Sequence, residues 1–539
     1  MFFYNILDAI RNENLRTQMK TRFPVHVVDE TSFLLPKTLS PNNGVQSDRK
    51  YVFIIPQRYV LSIMGFFAIL NAYTMRVSLS IAITEMVQRH KSDFYDPDAC
   101  SVFDIHNSTS PHTVSDELYP WTSKQQGIIL SAFYWGYVLT HIPGGVIAEK
   151  FGGKHVLGLG ILSTSIFTLL TPFVIYITEG NWVWFVVLRV LEGFGEGTTF
   201  PALNAILSKW VPLSERSKLG TLVYAGSQIG TVLANSISGA LIHSTRTWAS
   251  VFYFFGCMGC LWTLLWTLLC YSDPESHPFI STEEKDYLKK QMAGISKDNR
   301  KIPWTAILTS VPIWALVAAQ IGHDWGFFAM VTDLPIYLKE VLHFNVKQNG
   351  FLSSIPYIVM WIVSLVTAYI CDMLITKKCM SISFARKFFS TFGSFGPAVF
   401  LLLASYVGCD RDIAILMFTI GMGFMGCFYC GMKVNILDLT THYAGTIMAI
   451  VNGIGALSGI LVPYLISALT ENHTLSEWRN VFWITFGVLV VTDLIFVFFG
   501  SAEIQPFDSI YDKEVTEKTD EFNGIDLHKK TYHGEIEEA

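Results

Sequence analysis

Charge is scarce in this sequence. Asp, Glu, Lys and Arg make up 15% of its 539 residues, 51% are hydrophobic, and the mean hydropathy is +0.38. A soluble chain of this length divides into domains whose surfaces carry more charge, so a soluble enzyme or binding module is excluded. Cysteine is thin too, with nine residues, several of them inside apolar blocks. Cys257 and Cys260, and Cys427 and Cys430, have the Cys-x-x-Cys spacing. Neither pair has a second ligand pair beside it, so no metal is expected and these cysteines read as small, packable helix residues. A Gly-x4-Gly-Lys-Ser/Thr phosphate loop is missing, which argues against a nucleotide-driven pump. No nucleophile–base set marks an embedded enzyme, and neither a cofactor nor a nucleic-acid partner is expected. The first 58 residues have no apolar core followed by a small-residue cleavage site, so the N-terminus is expected to stay in the cytosol.

What the chain has in abundance is apolar sequence, in blocks of about 20 residues that match a hydrocarbon core of ~30 Å. Twelve spans are expected: 59–83, 125–147, 155–177, 183–207, 219–243, 249–271, 312–334, 349–371, 388–407, 412–434, 444–468 and 479–500. The polar stretch 272–303, with Glu283, Glu284, Lys285, Lys289, Lys290 and Arg300, divides them six and six. The predicted fold is an all-α membrane protein of twelve transmembrane helices in two six-helix pseudo-repeats. It comprises a tail (1–58), a first bundle (59–271), a linker (272–303), a second bundle (304–500) and a tail (501–539). Acid-then-base sequences recur at the ends of spans 2 (Glu149, Lys150, Lys154) and 8 (Asp372, Lys377, Lys378), as a repeat would require.

Bases cluster in alternate loops, and the positive-inside rule then puts both termini in the cytosol. Two Asn-x-Ser/Thr sequons, at Asn107 and Asn472, fall in the opposite loops, where glycosylation takes place. Glu30, Leu34 and Leu35 fit an acidic dileucine sorting pattern.

Few charges sit inside the spans. Arg76 lies in span 1, and a lipid-facing Arg at mid-membrane costs ~2.5–3.5 kcal/mol, so it should face a cavity or a partner. Its guanidinium suits a carboxylate or phosphate; the alternative is a structural ion pair. Span 4 carries Arg189, Glu192 and Glu196 at i, i+3 and i+7, on one helix face. A buried Glu whose basic partner moves could carry a proton, whereas a fixed partner makes a static staple. Arg189 with Glu192 suits the staple and Glu196 the carrier. His323 in span 7 reads as a titrating group of the site or as a solvated mouth residue. His141, Lys433, Asp438 and Asp493 read as structural first. The loop Gly145, Glu149, Lys150, Gly152, Lys154 reads as a latch that breaks when the two halves rock.

These residues carry a resemblance. The run Gly145 to Lys154 looks like the major facilitator signature, with Glu149 where Asp is usual. Asn71-Ala-Tyr73-Thr-Met-Arg76, Trp135-Gly136-Tyr137, Arg189-x-x-Glu192-Gly193-x-Gly195-Glu196-Gly197 and Trp210-x-Pro212-x-x-Glu215-Arg216-Ser217 resemble the anion/cation symporter family. That family includes type I phosphate transporters, vesicular glutamate transporters and, most like this chain, sialin. The resemblance implies alternating access by a monomer in the bilayer. It implies a small organic anion, of sialic acid or acidic amino acid type, bound by Arg76 in a cavity lined by Tyr73 and Tyr137; His323 joins these substrate-binding candidates from its own place in span 7. A co-transported proton would be exchanged at Glu192 and Glu196 with Arg189. A lysosomal or vesicle membrane, or the plasma membrane, is the implied location. His323 and Leu130 stand where vesicular glutamate members carry Arg and His, and Asn204 and Ile436 where sialin carries His. Sodium-driven phosphate or organic anion uptake is the alternative, with a non-transporting sensor or scaffold a more distant one.

Overall fold

A computed structural model of the chain describes residues 56–88, 118–292, 302–440, 443–472 and 474–509. The expected sorting signal (Glu30, Leu34, Leu35) and the sequon at Asn107 lie outside these residues. The described residues are helical almost throughout, and the Val87–Tyr119 bridge is the only β-pairing among them.

Each of the twelve expected spans falls on helix. Five are single helices of the first half: α1 (Gln57–Met86), α2 (Ser123–Phe151), α3 (Gly153–Ile177), α6 (Leu213–Thr245) and α7 (Ala249–Leu269). Span 4 is broken into α4 (Trp182–Glu196) and α5 (Thr199–Trp210). The linker holds α8 (Thr282–Met292), and α9 (Trp304–Leu308) precedes the second half. Span 7 is α10 (Val311–Phe328), a π-helical turn at Ala329–Asp333 and α11 (Leu334–Glu340). Spans 8 and 9 are α12 (Val346–Thr376) and α13 (Ile382–Ala404). Span 10 is α14 (Arg411–Met425), irregular turns over Gly426–Lys433, and α15 (Val434–Leu439). Span 11 is α16 (Ala444–Gly455) and α17 (Ser458–Leu469), and span 12 is α18 (Leu475–Phe499). Eight helices among the described residues are long and apolar enough to cross a membrane. Spans 2, 4, 5 and 7 fall outside that set. Span 4 is interrupted, and the others carry polar residues such as Gln126, Asn235 and Gln320 that are buried within the protein.

The helices start where side chains can replace the missing backbone partners. Thr122 with Gln125, and Thr474 with Glu477, form capping boxes; Asn181, Asn345, Ser381 and Asp410 cap their helices singly. In span 7, Pro335 has no N–H for the carbonyl four residues back, and the π-helical turn just before it absorbs the lost bond. Gly152 turns the chain between α2 and α3 at φ +87°, a conformation open to glycine at no steric cost.

Glycines set the distance between spans 2 and 4. A Cβ on Gly193 would lie 2.0 Å from the Phe133 carbonyl oxygen, and one on Gly136 2.1 Å from that of Val190. The backbones touch, as small-residue helix crossings in membranes do. This contact carries the charged face of α4 toward α1.

The two halves meet toward the end of the bundle opposite the described termini. There Lys339 pairs with Glu85 at 3.2 Å, Ser236 bonds Ser354 at 2.7 Å, and the Ser354 hydroxyl donates to the Val232 carbonyl at 3.1 Å. Gly239 and Gly350 bring spans 5 and 8 into backbone contact. Asn472 is exposed at the same end and donates to Glu477 at 2.9 Å.

Candidate functional site

At mid-length α1 presents Arg76, which is 8% exposed. Its guanidinium donates to Glu196 Oε1, and Glu196 is 1% exposed. Around it stand aromatic faces: Tyr73 at 4.6 Å, Phe133 at 4.9 Å, Tyr137 at 4.9 Å and Tyr134 at 5.8 Å from guanidinium carbon to ring centroid. Phe133, Tyr134 and Tyr137 lie within one turn or so of α2, which explains why one helix supplies three of the four rings. A cation over aromatic faces loses less on leaving water than a bare one does. The pair is nevertheless incomplete. Arg76 Nε and Glu196 Oε2 are buried with no partner among the described residues. A site with spare donor and acceptor capacity is one that a ligand or a water can complete.

Arg189 and Glu192 differ from that pair in the carboxylate: Arg189 Nε is likewise left without a partner, but both oxygens of Glu192 are bonded. They bond to each other at 2.5 Å within α4. Thr171 donates to the other oxygen of Glu192 at 3.3 Å, and Arg189 reaches the Arg76 carbonyl at 3.5 Å. Thr164 donates to the backbone oxygen of Glu192 at 3.1 Å. Every contact is internal to the first half, so this pair braces the helix that carries Glu196.

The structure therefore brings together Arg76, Tyr73, Tyr137, Glu192, Glu196 and Arg189. His323 lies in the second half, its imidazole flat on Phe428 at 3.8 Å and edge-on to Tyr429 at 5.9 Å between centroids, with Nδ1 unpartnered. Of the expected latch residues, Gly145, Gly152 and Lys154 can be placed. Lys154 stacks its ammonium on Tyr271 at 3.7 Å, and its backbone N–H donates to Ser272 at 3.2 Å, both contacts within the first half and its exit. Gly145 packs near Pro201, and Gly152 supplies the turn. The side chains of Glu149 and Lys150 lie outside what is described.

Three contributors escape the sequence reading. Phe133 and Tyr134 complete the aromatic cage, and their signal was their one-turn spacing from Tyr137. Tyr429 crosses between halves, its hydroxyl accepting from Gln228 Nε2 at 3.0 Å. In the second half Asp324 accepts from Gln320 at 2.7 Å and Lys433 donates to Asn452 at 2.5 Å.

At the end of the bundle bearing the termini, Arg58 is held by Glu215 at 2.8 Å and Glu284 at 3.3 Å. The Glu284 carboxylate also accepts from the first backbone N–H groups of α1, at 2.8 and 3.2 Å. The linker helix α8 is thus fastened to the start of span 1. Beside it, burial holds the His277 imidazole below its ordinary value. Its Nδ1 accepts from the Phe279 N–H at 3.1 Å and its other nitrogen lies 3.2 Å from the Leu269 carbonyl.

Residues 61–463 match the family model of the Major Facilitator Superfamily. Human sialin is 38% identical over 454 residues, covering 83% of this chain and 90% of sialin. A putative inorganic phosphate cotransporter of Drosophila melanogaster is also 38% identical, over 85% of this chain and 87% of its own. Vesicular glutamate transporter 1 of Xenopus tropicalis is 33% identical, over 90% of this chain and 81% of its own. Among solved structures, an inward-facing bacterial homolog of the human lysosomal transporter Spinster superposes with a TM-score of 0.63 at 14% identity, over 84% of this chain and all of that one. A D-xylose-proton symporter gives 0.60 at 15% identity, over 83% of this chain and 99% of its own.

Proposed function

The chain belongs to the Major Facilitator Superfamily, a multi-pass transporter rather than an enzyme, and we propose that it carries a small organic anion with a proton by alternating access. The observation that carries this reading is the incomplete Arg76–Glu196 pair inside its aromatic cage. A guanidinium held by a carboxylate cannot offer full charge to a second carboxylate. Protonation of Glu196 removes the competitor and releases Arg76 to the substrate. Loss of the substrate restores the pair and expels the proton. Binding of anion and proton are then linked, as symport requires. Tyr73 and Tyr137 shape the cavity, and Arg189 with Glu192 positions Glu196.

Sealing at the end opposite the termini supports an inward-facing state, with both termini in the cytosol and Asn472 on the luminal or external side. The likeness to sialin and to a vesicular glutamate transporter favours a lysosomal or vesicle membrane over the cell surface, and a proton gradient as the drive. The chain acts as a monomer. The Drosophila relative supports the alternative, sodium-dependent phosphate or organic anion uptake, and ion replacement at constant pH separates the two.

Uptake of labelled N-acetylneuraminate, glutamate and inorganic phosphate into proteoliposomes under imposed pH and sodium gradients tests the reading. Arg76→Ala and Arg76→Lys should abolish uptake while the protein still reaches the membrane. Transport surviving in either variant removes Arg76 from the role.

A further inference from the structure

The first half has a base on span 1 and an acid on span 4. The second half has the reverse, an acid on span 7 (Asp324) and a base on span 10 (Lys433). Spans 1 and 7, and 4 and 10, occupy corresponding places in the two halves, so the pair is repeated with its charges exchanged. The second pair differs in how it is held. Arg76 and Glu196 are in contact. Lys433 instead gives its hydrogen bond to the neutral Asn452, at 2.5 Å, and Asp324 accepts from Gln320 at 2.7 Å. Among the described residues they form no contact pair; span 11 joins them, because Asn452 accepts from Lys433 and Gly455, one turn further on, lies against Asp324.

The location is built rather than incidental. Lys433 ends the π-helical turn of span 10, a defect that turns its side chain out of the regular helical register. The residue is half-buried, and its ammonium is held on Asn452 of span 11. Gly455 leaves room for the acid: a Cβ there would stand 2.4 Å from Asp324 Oδ2. Gln320 is buried, and its amide oxygen is left without a partner. Packing contacts link the two pairs. Tyr134, one of the rings about Arg76, lies 4.8 Å from Phe328 between centroids and packs on Gly459, about one turn along their helices from Asp324 and Gly455. Tyr429, in the same turn as Lys433, reaches Gln228 of the first half at 3.0 Å.

We infer that Lys433 is a second anion contact and Asp324 its resting counter-charge, so that the site takes a dianion: one anionic group on Arg76 and the other on Lys433. This rests on the transport reading above and specifies its substrate class. Arg76 already has a carboxylate partner that must leave before an anion enters. Lys433 has only a neutral one, which an anionic group of the substrate outbids. A molecule held from both halves also gives a reason for the halves to close upon it, because each half contributes one of its two contacts.

Succinate and butyrate have the same chain length and differ by one carboxylate, and so isolate the second contact. Thermal stabilisation of the detergent-purified full-length protein by each reads binding independently of flux. Succinate should stabilise the wild type at lower concentration than butyrate. Lys433→Gln should raise the succinate concentration needed by roughly tenfold or more, the loss expected of one charge-assisted hydrogen bond, and leave butyrate within about twofold. Lys433→Arg should restore the preference. Asp324→Asn removes the competitor for Lys433 and should strengthen succinate relative to butyrate. A general folding defect cannot move two variants in opposite directions. The inference is overturned if the wild type binds both probes alike, if Lys433→Gln leaves the ratio unchanged, or if Asp324→Asn lowers it. An Arg76 variant that loses both probes while Lys433 variants change neither would leave the transport reading standing and remove this one.

Discussion

Neutralising one carboxylate should tighten anion binding and destroy coupling together. Glu196→Gln keeps the shape of the side chain and its place 1% exposed against Arg76. In the wild type an incoming anion must displace a charged partner. Two unit charges about 4 Å apart attract by ~4 kcal/mol at an effective dielectric of ~20, and desolvation offsets part of that. A hydrogen bond to a charged group is worth ~1.5–3 kcal/mol net, and that is the competition removed. At ~1.4 kcal/mol per tenfold, the variant should bind the anion roughly ten- to a hundredfold more tightly where Glu196 is ionised in the wild type. The advantage should vanish at low pH, where the wild type is protonated and resembles the variant. The assay is a pair of measurements in proteoliposomes with whichever of N-acetylneuraminate, glutamate and phosphate the wild type takes up. Exchange between equal concentrations of labelled and unlabelled anion should persist, because it needs no net proton movement. Accumulation driven by a pH gradient should disappear. Weaker binding, or accumulation that still follows the gradient, would refute the competition argument.

Glu192→Gln tests the contrast within the same helix. It leaves Arg189 buried without its partner at a cost of ~3–5 kcal/mol, so a lower yield and thermal midpoint are expected, with the pH dependence of any surviving transport unchanged. An unchanged midpoint would count against a bracing role. His277, outside the membrane spans, gives a pH signature. Its folded value is held below the ordinary ~6.5, so between the two values the unfolded chain binds a proton that the folded chain does not. Stability from this group is complete above about 6.5 and is lost as pH falls through the folded value. Thermal midpoints measured down that range should fall less steeply in His277→Gln; equal slopes would sink the assignment. Gly350→Ala puts a Cβ 2.5 Å from the Asn235 carbonyl and 3.0 Å from Gly239 Cα. It should pry apart spans 5 and 8 and raise thiol labelling of a Ser354→Cys probe; labelling no faster than without the alanine would show that this seal does not hold that end shut.

The helices were legible because apolar length is a one-dimensional signal, and each of the twelve expected spans falls on helix. Their interruptions were not. Gly197 and Pro335 could have suggested breaks, but hydropathy averages over a turn, and spans 4 and 7 read as continuous. The charged face of span 4 was legible from i, i+3, i+7 spacing. Which acid pairs with which base was not, because Arg76 and Glu196 are 120 residues apart and meet only through the Gly136–Gly193 crossing. His323 reads equally as a group of the site or as a solvated mouth residue; its ring stacks on Phe428, and no periodicity in span 7 announces a partner from span 10. Lys433 reads as structural because a lone Lys in an apolar block carries no pattern; only the fold brings it near Asp324, through Asn452 and Gly455 of span 11.

The four central charges explain one another better together than singly. Arg76 and Lys433 are positive, Glu196 and Asp324 negative, so the empty centre is neutral and the halves can rock past it without dragging net charge through the membrane. An anion entering alone would break that balance. Under the proposed symport, one proton on a carboxylate for each negative charge brought in would restore it, and the two carboxylates on the two halves would set the number of protons the site can take. Coupling then needs no separate machinery: the cost of unpaired charge in a medium of low dielectric enforces it. The aromatic cage around Arg76 belongs to the same logic, since it keeps the guanidinium tolerable during the interval when neither carboxylate nor substrate is bound.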